Sequence, residues 1–371
     1  MLWEWLLFTL KGITVAVFVV IVVGMIVMIV KTSRELEIPS GELKVTDLRG
    51  RRQDNDKLMQ QALGESINQR GDEAKKLKPK AREKLYKENA KALEQQRHAL
   101  ILKRRESGIF CPENIFVLSF HGGVKASEVK DLRREISAVL DAARPGDEVI
   151  VDLESPGGMV NSYGLCAAEL MRVRESGVYL TVCVDQVAAS GGYMMAAVAN
   201  RIVAAPFAYI GSIGVIAQIP NFHRLMNRYD IDYEQITAGK YKRTVTMFGE
   251  NTQADRDKLK EELEAIHARF KEEVQTFRPM LNMEELATGE YWLAKDALQR
   301  GLVDEIATFS DYLSRRMLAS SGSVLKVKWC RRRKNTLSGK LRKLVSVRTW
   351  VRILRTELLE RDTGHDQVRI G

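Results

Sequence analysis

The sequence predicts an α/β fold on a mostly parallel sheet, with an N-terminal transmembrane helix. Three observations predict it. Short apolar runs rich in β-branched residues alternate with longer segments of helical periodicity, the pattern of βαβ units. Glycine-bearing turns follow several of those runs. One uninterrupted apolar stretch stands near the start of the 371-residue chain, a length that suits one large α/β domain with appendages.

The elements follow in order. Residues 13–30 carry no charge and lie between Lys11 and Lys31. At 1.5 Å per residue a helix of that length spans about 27 Å, close to the hydrocarbon thickness of a bilayer. Trp3 and Trp5 suit the interfacial belt. A cleaved signal peptide is the rival reading, but Val30-Lys31-Thr32-Ser33-Arg34 has no small-x-small cleavage site. Residues 1–31 therefore form the anchor. Lys31, Arg34, Lys44, Arg49, Arg51 and Arg52 follow it, and the positive-inside rule places the body in the cytoplasm. Residues 32–109 hold nineteen Lys/Arg against thirteen Asp/Glu and read as a charged, partly helical linker, with 81–105 a solvated helix.

The globular body is assigned to residues 110–318. Residues 115–120 are a strand, closed by the His121-Gly122-Gly123 turn. Residues 127–143 are helical, with Val129, Leu132, Ile136, Val139 and Leu140 on one face. Strand 148–153 leads through Glu154-Ser155-Pro156-Gly157-Gly158 to a helix over 160–175. Strand 178–184 leads to a helix that starts near Gly191. A short strand over 201–204 and an apolar run over 207–210 precede the long charged helix 254–277, which places Leu259, Leu263, Ile266, Phe270 and Val274 on one face. Residues 319–371 form a basic amphipathic tail, suited to a membrane surface or another subunit.

Charge narrows the partners. Residues 326–361 hold thirteen Lys/Arg against two Asp/Glu, whereas 110–325 hold twenty-three against thirty. The basic character belongs to the flanks, so nucleic acid is not an expected partner of the mildly acidic body, and membrane lipid is. Cys111, Cys166, Cys183 and Cys330 have no short metal-ligand spacing. Cys166 and Cys183 are expected as buried thiols, and no structural disulfide is expected.

The chemistry-bearing stretch is Asp185-Gln186-Val187-Ala188-Ala189-Ser190-Gly191-Gly192. Ser190 stands between an apolar strand and a helix start, where unpaired N–H groups and a partial positive charge favour a developing oxyanion. A bare Ser-Gly-Gly is more often only a helix N-cap. The neighbouring turns shift that balance. Ser155-Pro156-Gly157-Gly158 and Gly211-Ser212-Ile213-Gly214 also follow apolar strands, and sites in parallel α/β folds gather at the C-terminal ends of strands. Gly157 and Gly158 could present N–H groups beside the Ser190 hydroxyl, completing an oxyanion hole with Gly191.

A nucleophilic serine needs a base. His98 and His365 lie in polar flanks, His267 on the long helix with a solvated aspect, and His121 and His223 in the body without a catalytic context. Lys240 and Lys242, in Thr237-Ala238-Gly239-Lys240-Tyr241-Lys242-Arg243-Thr244, are the alternative. A lysine base must be neutral, which takes desolvation. Chemistry alone does not choose between the two, and a solvated basic loop is the plain reading.

Taken together, the chain resembles the signal peptide peptidase A and SohB family of membrane-anchored serine proteases, nearest its short SohB branch. The likeness runs over residues 113–308. It rests on Leu153-Glu154-Ser155-Pro156-Gly157-Gly158, Val187-Ala188-Ala189-Ser190-Gly191-Gly192-Tyr193, Gly211-Ser212-Ile213-Gly214-Val215 and Ala238-Gly239-Lys240-Tyr241-Lys242-Arg243. The resemblance implies a crotonase/ClpP-like fold of ββα units. It implies a Ser–Lys dyad with Ser190 as nucleophile and Lys242 as base, Ser212 orienting the lysine, and an oxyanion hole from Gly157 or Gly158 with Gly191. It implies a homo-oligomeric ring or dome whose serine and lysine come from adjacent subunits. Substrates would be signal peptides and other unfolded or membrane-derived peptides, and no metal or cofactor would be needed. Bacterial relatives sit on the outer face of the inner membrane, opposite to the side that the charge count favours. Two other functions fit the sequence: a Ser–His protease using His223, and a catalytically silent membrane scaffold.

Overall fold

The computed structural model describes residues 41–67, 110–239 and 241–331, together with positions 91, 95, 96, 99, 101–104 and 106–108. The apolar span 13–30, the helical part of the basic tail beyond 331, His98, Lys240 and His365 lie outside the described residues. Among the described residues no helix is long and apolar enough to cross a membrane. The chain divides into two compact units, residues 43–329 and a unit made of 1–42 with 330–371. The candidate site belongs to the first.

Its core is a seven-stranded sheet of β1 (Gly41–Asp47), β2 (Ile115–His121), β3 (Glu148–Glu154), β4 (Tyr179–Val184), β6 (Arg201–Ala204), β9 (Glu305–Ile306) and β10 (Val324–Arg331), in the order β1-β10-β2-β3-β4-β6-β9. The central strands β2, β3, β4 and β6 are short, parallel and largely buried on both faces. Register aligns Ile115 with Glu148 and Glu148 with Tyr179, so the strand ends that carry the turns lie side by side. Alternate residues of a strand face opposite ways. Phe116, Leu118 and Phe120 join a large core with Val149, Val151, Leu153 and Leu180. Ile115 and Val117 join a smaller one with Ile150, Cys183, Val203, Tyr312 and Met317. Burial on both faces explains why the strands read as apolar runs rather than alternations.

The helices α2 (Val129–Ala142) and α3 (Val160–Glu175) bury Leu132, Ile136 and Val139, and Tyr163, Leu170 and Val173, in the larger core. The opposite face is covered by α9 (Phe309–Ala319). The strands β5 (Val187–Ala189), β7 (Tyr209–Gly211) and β8 (Tyr291–Leu293) form a second sheet, β5 parallel and β8 antiparallel to β7. The helix α4 (Gly191–Ala197) starts from the end of β5 and is buried throughout. Shorter helices α5 (His223–Arg228), α7 (Met283–Leu286) and α8 (Ala294–Gln299) punctuate the later chain.

The long helix α6 (Gln253–Phe277) begins with a reciprocal capping box between Thr252 and Asp255. Of its expected apolar face, Phe270 and Val274 are buried, Leu259 and Leu263 are half-buried, and Ile266 is exposed. The face is covered only toward its C-terminal half.

The ends of the body differ from the sequence reading. Residues 41–67, assigned to the linker, form β1 and the helix α1 (Leu48–Ile67). Residues 324–331, assigned to the tail, form a strand paired with β2 through Val324↔Ile115, Leu325↔Phe116 and Lys326↔Val117. The sheet therefore continues past residue 318. Lys326 and Lys328 made the segment read as a basic tail, yet Val324 and Val327 are buried.

Candidate active site

The strand β5 is held on both sides. It pairs with β7 through Ala188↔Ile210 and Ala189↔Gly211, and Ala188 bridges to Ser155 at the end of β3. The Ser155 N–H donates to Val187 O (2.8 Å), and Ser155 O accepts from the Ala189 N–H (3.0 Å). Chain leaving β5 must turn at once into α4, and Ser190 makes that turn with φ 52° and ψ −122°. A residue bearing a Cβ rarely adopts this region and is strained there by about 1–3 kcal/mol. The strain is sustained because the Ser190 N–H donates to Gly211 O (2.8 Å) and its carbonyl accepts from the Met194 N–H (3.0 Å).

Although Ser190 occupies the N-cap position, its side chain makes no capping bond. Among the described residues its half-buried hydroxyl has no hydrogen-bond partner at all. The turn thus holds a strained serine whose hydroxyl takes no part in capping the helix. That is the arrangement of a nucleophile elbow, where backbone strain exposes a hydroxyl at a strand-to-helix turn.

The glycine turn after β3 lies against this serine. Gly157 has φ +88°, and a Cβ there would stand 2.7 Å from Ala189 O and 2.8 Å from both Gly191 N and Ser190 Cβ. Only glycine fits. The three expected oxyanion donors are not equivalent. The Gly157 N–H donates to Ser155 Oγ (3.0 Å), which engages it within its own turn. Among the described residues the N–H groups of Gly158 and Gly191 have no partner.

Ser155 and Tyr163, absent from the sequence-level site, are both fully buried at its base. Their hydroxyls are 2.5 Å apart, and the phenol also lies 2.8 Å from Gly123 O and 3.1 Å from Gly122 O. Burial pushes the Tyr163 phenol above its ordinary value, against the bond from Ser155, so it stays a neutral donor. The buried thiols do not compete as nucleophiles. Desolvation pushes Cys166 up to about 12 and Cys183 well above the ordinary thiol range, and none of the four cysteines is in a disulfide.

Neither the expected base nor its partner is hydrogen-bonded to the Ser190 hydroxyl among the described residues. Ser212, with φ 53°, adjoins Gly211 and so the Ser190 amide, but its hydroxyl donates to Gly289 O (3.2 Å). Lys242 is exposed, on the wall of a cleft of about 810 Å³ that is lined by residues from 218–220 and 233–248. Among the described residues no hydrogen bond links it to Ser190 or Ser212.

The histidines are also accounted for. His223 Nε2 pairs with Asn227 Nδ2 (3.2 Å), and His121 Nε2 with Asp152 Oδ2 (3.3 Å) at an exposed strand end. His267, expected to be solvated, is half-buried, and its Nε2 lies 3.2 Å from Ile213 O. Because a carbonyl only accepts, that nitrogen carries the proton.

The fold and site define a parallel α/β protein that presents a strained serine among backbone N–H donors. Comparison with known proteins names the family. Residues 1–170 match the model of the peptidase family S49 N-terminal region, and residues 172–321 that of peptidase family S49. A probable protease SohB of Haemophilus influenzae is 52% identical over 215 residues, 58% of this chain and 60% of that one. A putative protease SohB of Buchnera aphidicola subsp. Baizongia pistaciae is 45% identical over 243 residues, 66% and 68% of the two chains. The chain belongs to peptidase family S49. The stretch it shares with the Haemophilus relative is about three-fifths of that protein's length. Among solved structures, a 1510-N membrane-bound stomatin-specific protease overlaps 56% of this chain and 85% of its own, at 16% identity and a TM-score of 0.37, too low a score to bear on the fold.

Proposed function

We propose that this chain is a serine endopeptidase with a Ser–Lys dyad, anchored in the bacterial inner membrane by residues 13–30. The observation that carries the reading is the Ser190 turn, with its strained backbone, its uncapped hydroxyl and the partnerless N–H groups of Gly158 and Gly191 in the adjoining turns. Ser190 Oγ attacks a peptide carbonyl carbon while Lys242 takes its proton. The N–H groups of Gly158 and Gly191 stabilise the oxyanion. Collapse of the tetrahedral species breaks the C–N bond, and Lys242 returns the proton to the leaving amine. Water, deprotonated by the same lysine, then releases the acyl group and restores Ser190. Gly157 serves by its conformation rather than by its N–H. The unit β4–β5–α4, in which a second short strand precedes the helix, supports a crotonase/ClpP-like stack of ββα units.

The exposure of Lys242, and the lack of a hydrogen bond between it and Ser190 among the described residues, support a dyad completed between adjacent subunits of a homo-oligomer. A lysine base is neutral only when it is desolvated, and exposed Lys242 needs something to cover it. Among its described residues the stretch 215–251 contains only the short helix α5, and it exposes Ile216, Tyr229, Ile236, Tyr241, Met247 and Phe248, an apolar surface suited to a neighbouring copy. Ser212 would orient the incoming lysine. Family S49 membership and the SohB relatives support peptide or protein substrates, with signal peptides and membrane-derived segments as the class.

The test is hydrolysis of a quenched fluorescent signal-peptide-like substrate by the detergent-solubilised full chain. Ser190→Ala and Lys242→Ala should each lower kcat by several orders of magnitude while the oligomer persists. Full activity in Ser190→Ala would remove the proposal.

A further inference from the structure

We infer that Tyr163 and Ser155 are positioning residues that set the oxyanion donors through a one-way chain of hydrogen bonds. The inference rests on the protease reading of Ser190. The chain has fixed ends. The Gly157 N–H can only donate, and it reaches Ser155 Oγ at 3.0 Å. The Gly123 carbonyl can only accept, and it lies 2.8 Å from the Tyr163 hydroxyl. Between them stand two hydroxyls, 2.5 Å apart, each with one proton. Only one direction satisfies every group: Gly157 N–H to Ser155, Ser155 O–H to Tyr163, Tyr163 O–H to the Gly123 carbonyl, with Gly122 O as a secondary acceptor at 3.1 Å. In the reverse direction the Ser155 proton has no acceptor and the glycine carbonyls lose their donor. Bonds aligned in this way polarise one another in a buried, low-dielectric site.

The same two residues touch the other side of the oxyanion hole. A Cβ on Gly191 would lie 2.5 Å from Tyr163 Cγ, and one on Gly192 would lie 2.5 Å from Ser155 O. The phenol ring therefore supports the start of α4, while its hydroxyl ties the turn after β2 to the turn after β3. One side chain thus sets the separation between the Gly157-Gly158 turn and Gly191. Neither residue reaches the half-buried Ser190 hydroxyl by a hydrogen bond, so their role is placement, not chemistry.

Tyr163→Phe keeps the ring and removes the chain's centre. In the solubilised full-length protein we expect faster amide hydrogen exchange over 155–159 and 189–194, with β2 and β4 unchanged. We expect kcat to fall roughly 10- to 100-fold, the scale of a misplaced catalytic group, with KM held. Ser155→Ala should do the same, and the double variant should be no slower than the worse single one, because both interrupt one chain. Unchanged exchange and unchanged kcat in both variants, with wild-type turnover still abolished by Ser190→Ala, would overturn the inference and leave the protease reading intact. If wild-type turnover does not depend on Ser190, the protease reading falls. The exchange data then decide alone: loosened turns uphold the positioning role and unchanged turns overturn it.

Discussion

At the scale of single residues, the site is marked by conformational cost. Ser190 holds φ 52° in a region where its Cβ is penalised, and nothing structural is gained from its hydroxyl. Replacement should therefore separate stability from activity. Ser190→Gly removes the strained Cβ and is expected to be more stable than Ser190→Ala by about 1 kcal/mol, the strain relieved less the added unfolded-state entropy. Equal thermal midpoints for the two inactive variants would show that the turn is not strained. Gly157 behaves oppositely. Its φ of +88° and the closeness of Ala189 O and Ser190 Cβ leave no room for a methyl group. Gly157→Ala should cost more than about 1 kcal/mol and abolish turnover.

At the scale of elements, three polar contacts hold the scaffold. Glu148 at the start of β3 is fully buried, accepting from Arg316 Nε (2.7 Å) and Tyr312 (2.9 Å) of α9 and from Thr181 (2.7 Å) of β4. Arg316→Ala leaves that carboxylate buried without its cation and should destabilise the protein by about 3–5 kcal/mol, read as a shifted urea midpoint. On β9, burial pushes the Glu305 carboxyl up, but Arg315 and Arg201 donate to it and hold it below the usual range. Its folded value therefore lies below the unfolded value of about 4.3. The resulting stabilisation is complete above that pH and is lost as pH falls through the folded value. The stability advantage of wild type over Glu305→Gln should accordingly vanish on acidification. A gap that does not narrow as the pH falls below about 4 would contradict this. His267 joins α6 to the segment that carries Ser212. His267→Leu should slow turnover roughly tenfold, and His267→Gln, whose amide N–H can replace the Nε2 donor, should recover most of it.

At the scale of the whole molecule, the question is where the base comes from. Ser190 sits at the junction of the two sheets, whereas Lys242 belongs to an exposed stretch with little regular structure. If the dyad forms between adjacent subunits, mixing inactive Ser190→Ala with inactive Lys242→Ala and allowing exchange should restore part of the activity, because some interfaces then pair an intact serine with an intact lysine. A dyad formed within one chain predicts no recovery.

The sequence by itself determined the central strands β2, β3, β4 and β6 and the helix over 160–175, and it singled out Ser190 as the candidate nucleophile. Each depends on local signals: apolar runs, periodicity and glycine spacing. The three-residue β5 was not legible, because so short a strand has no periodicity and exists only through its pairing with β7 and Ser155. The β10 segment was misread as tail, because its lysines outweighed an alternation that matters only once β2 lies beside it. Tyr163 lies on the helix over 160–175, where no local signal marks its hydroxyl. That its hydroxyl closes a chain between turns forty and eight residues away follows from packing alone. Tertiary structure decided which glycine N–H groups are engaged, what His267 touches and that Lys242 is exposed, since each depends on contacts between segments that no local pattern encodes.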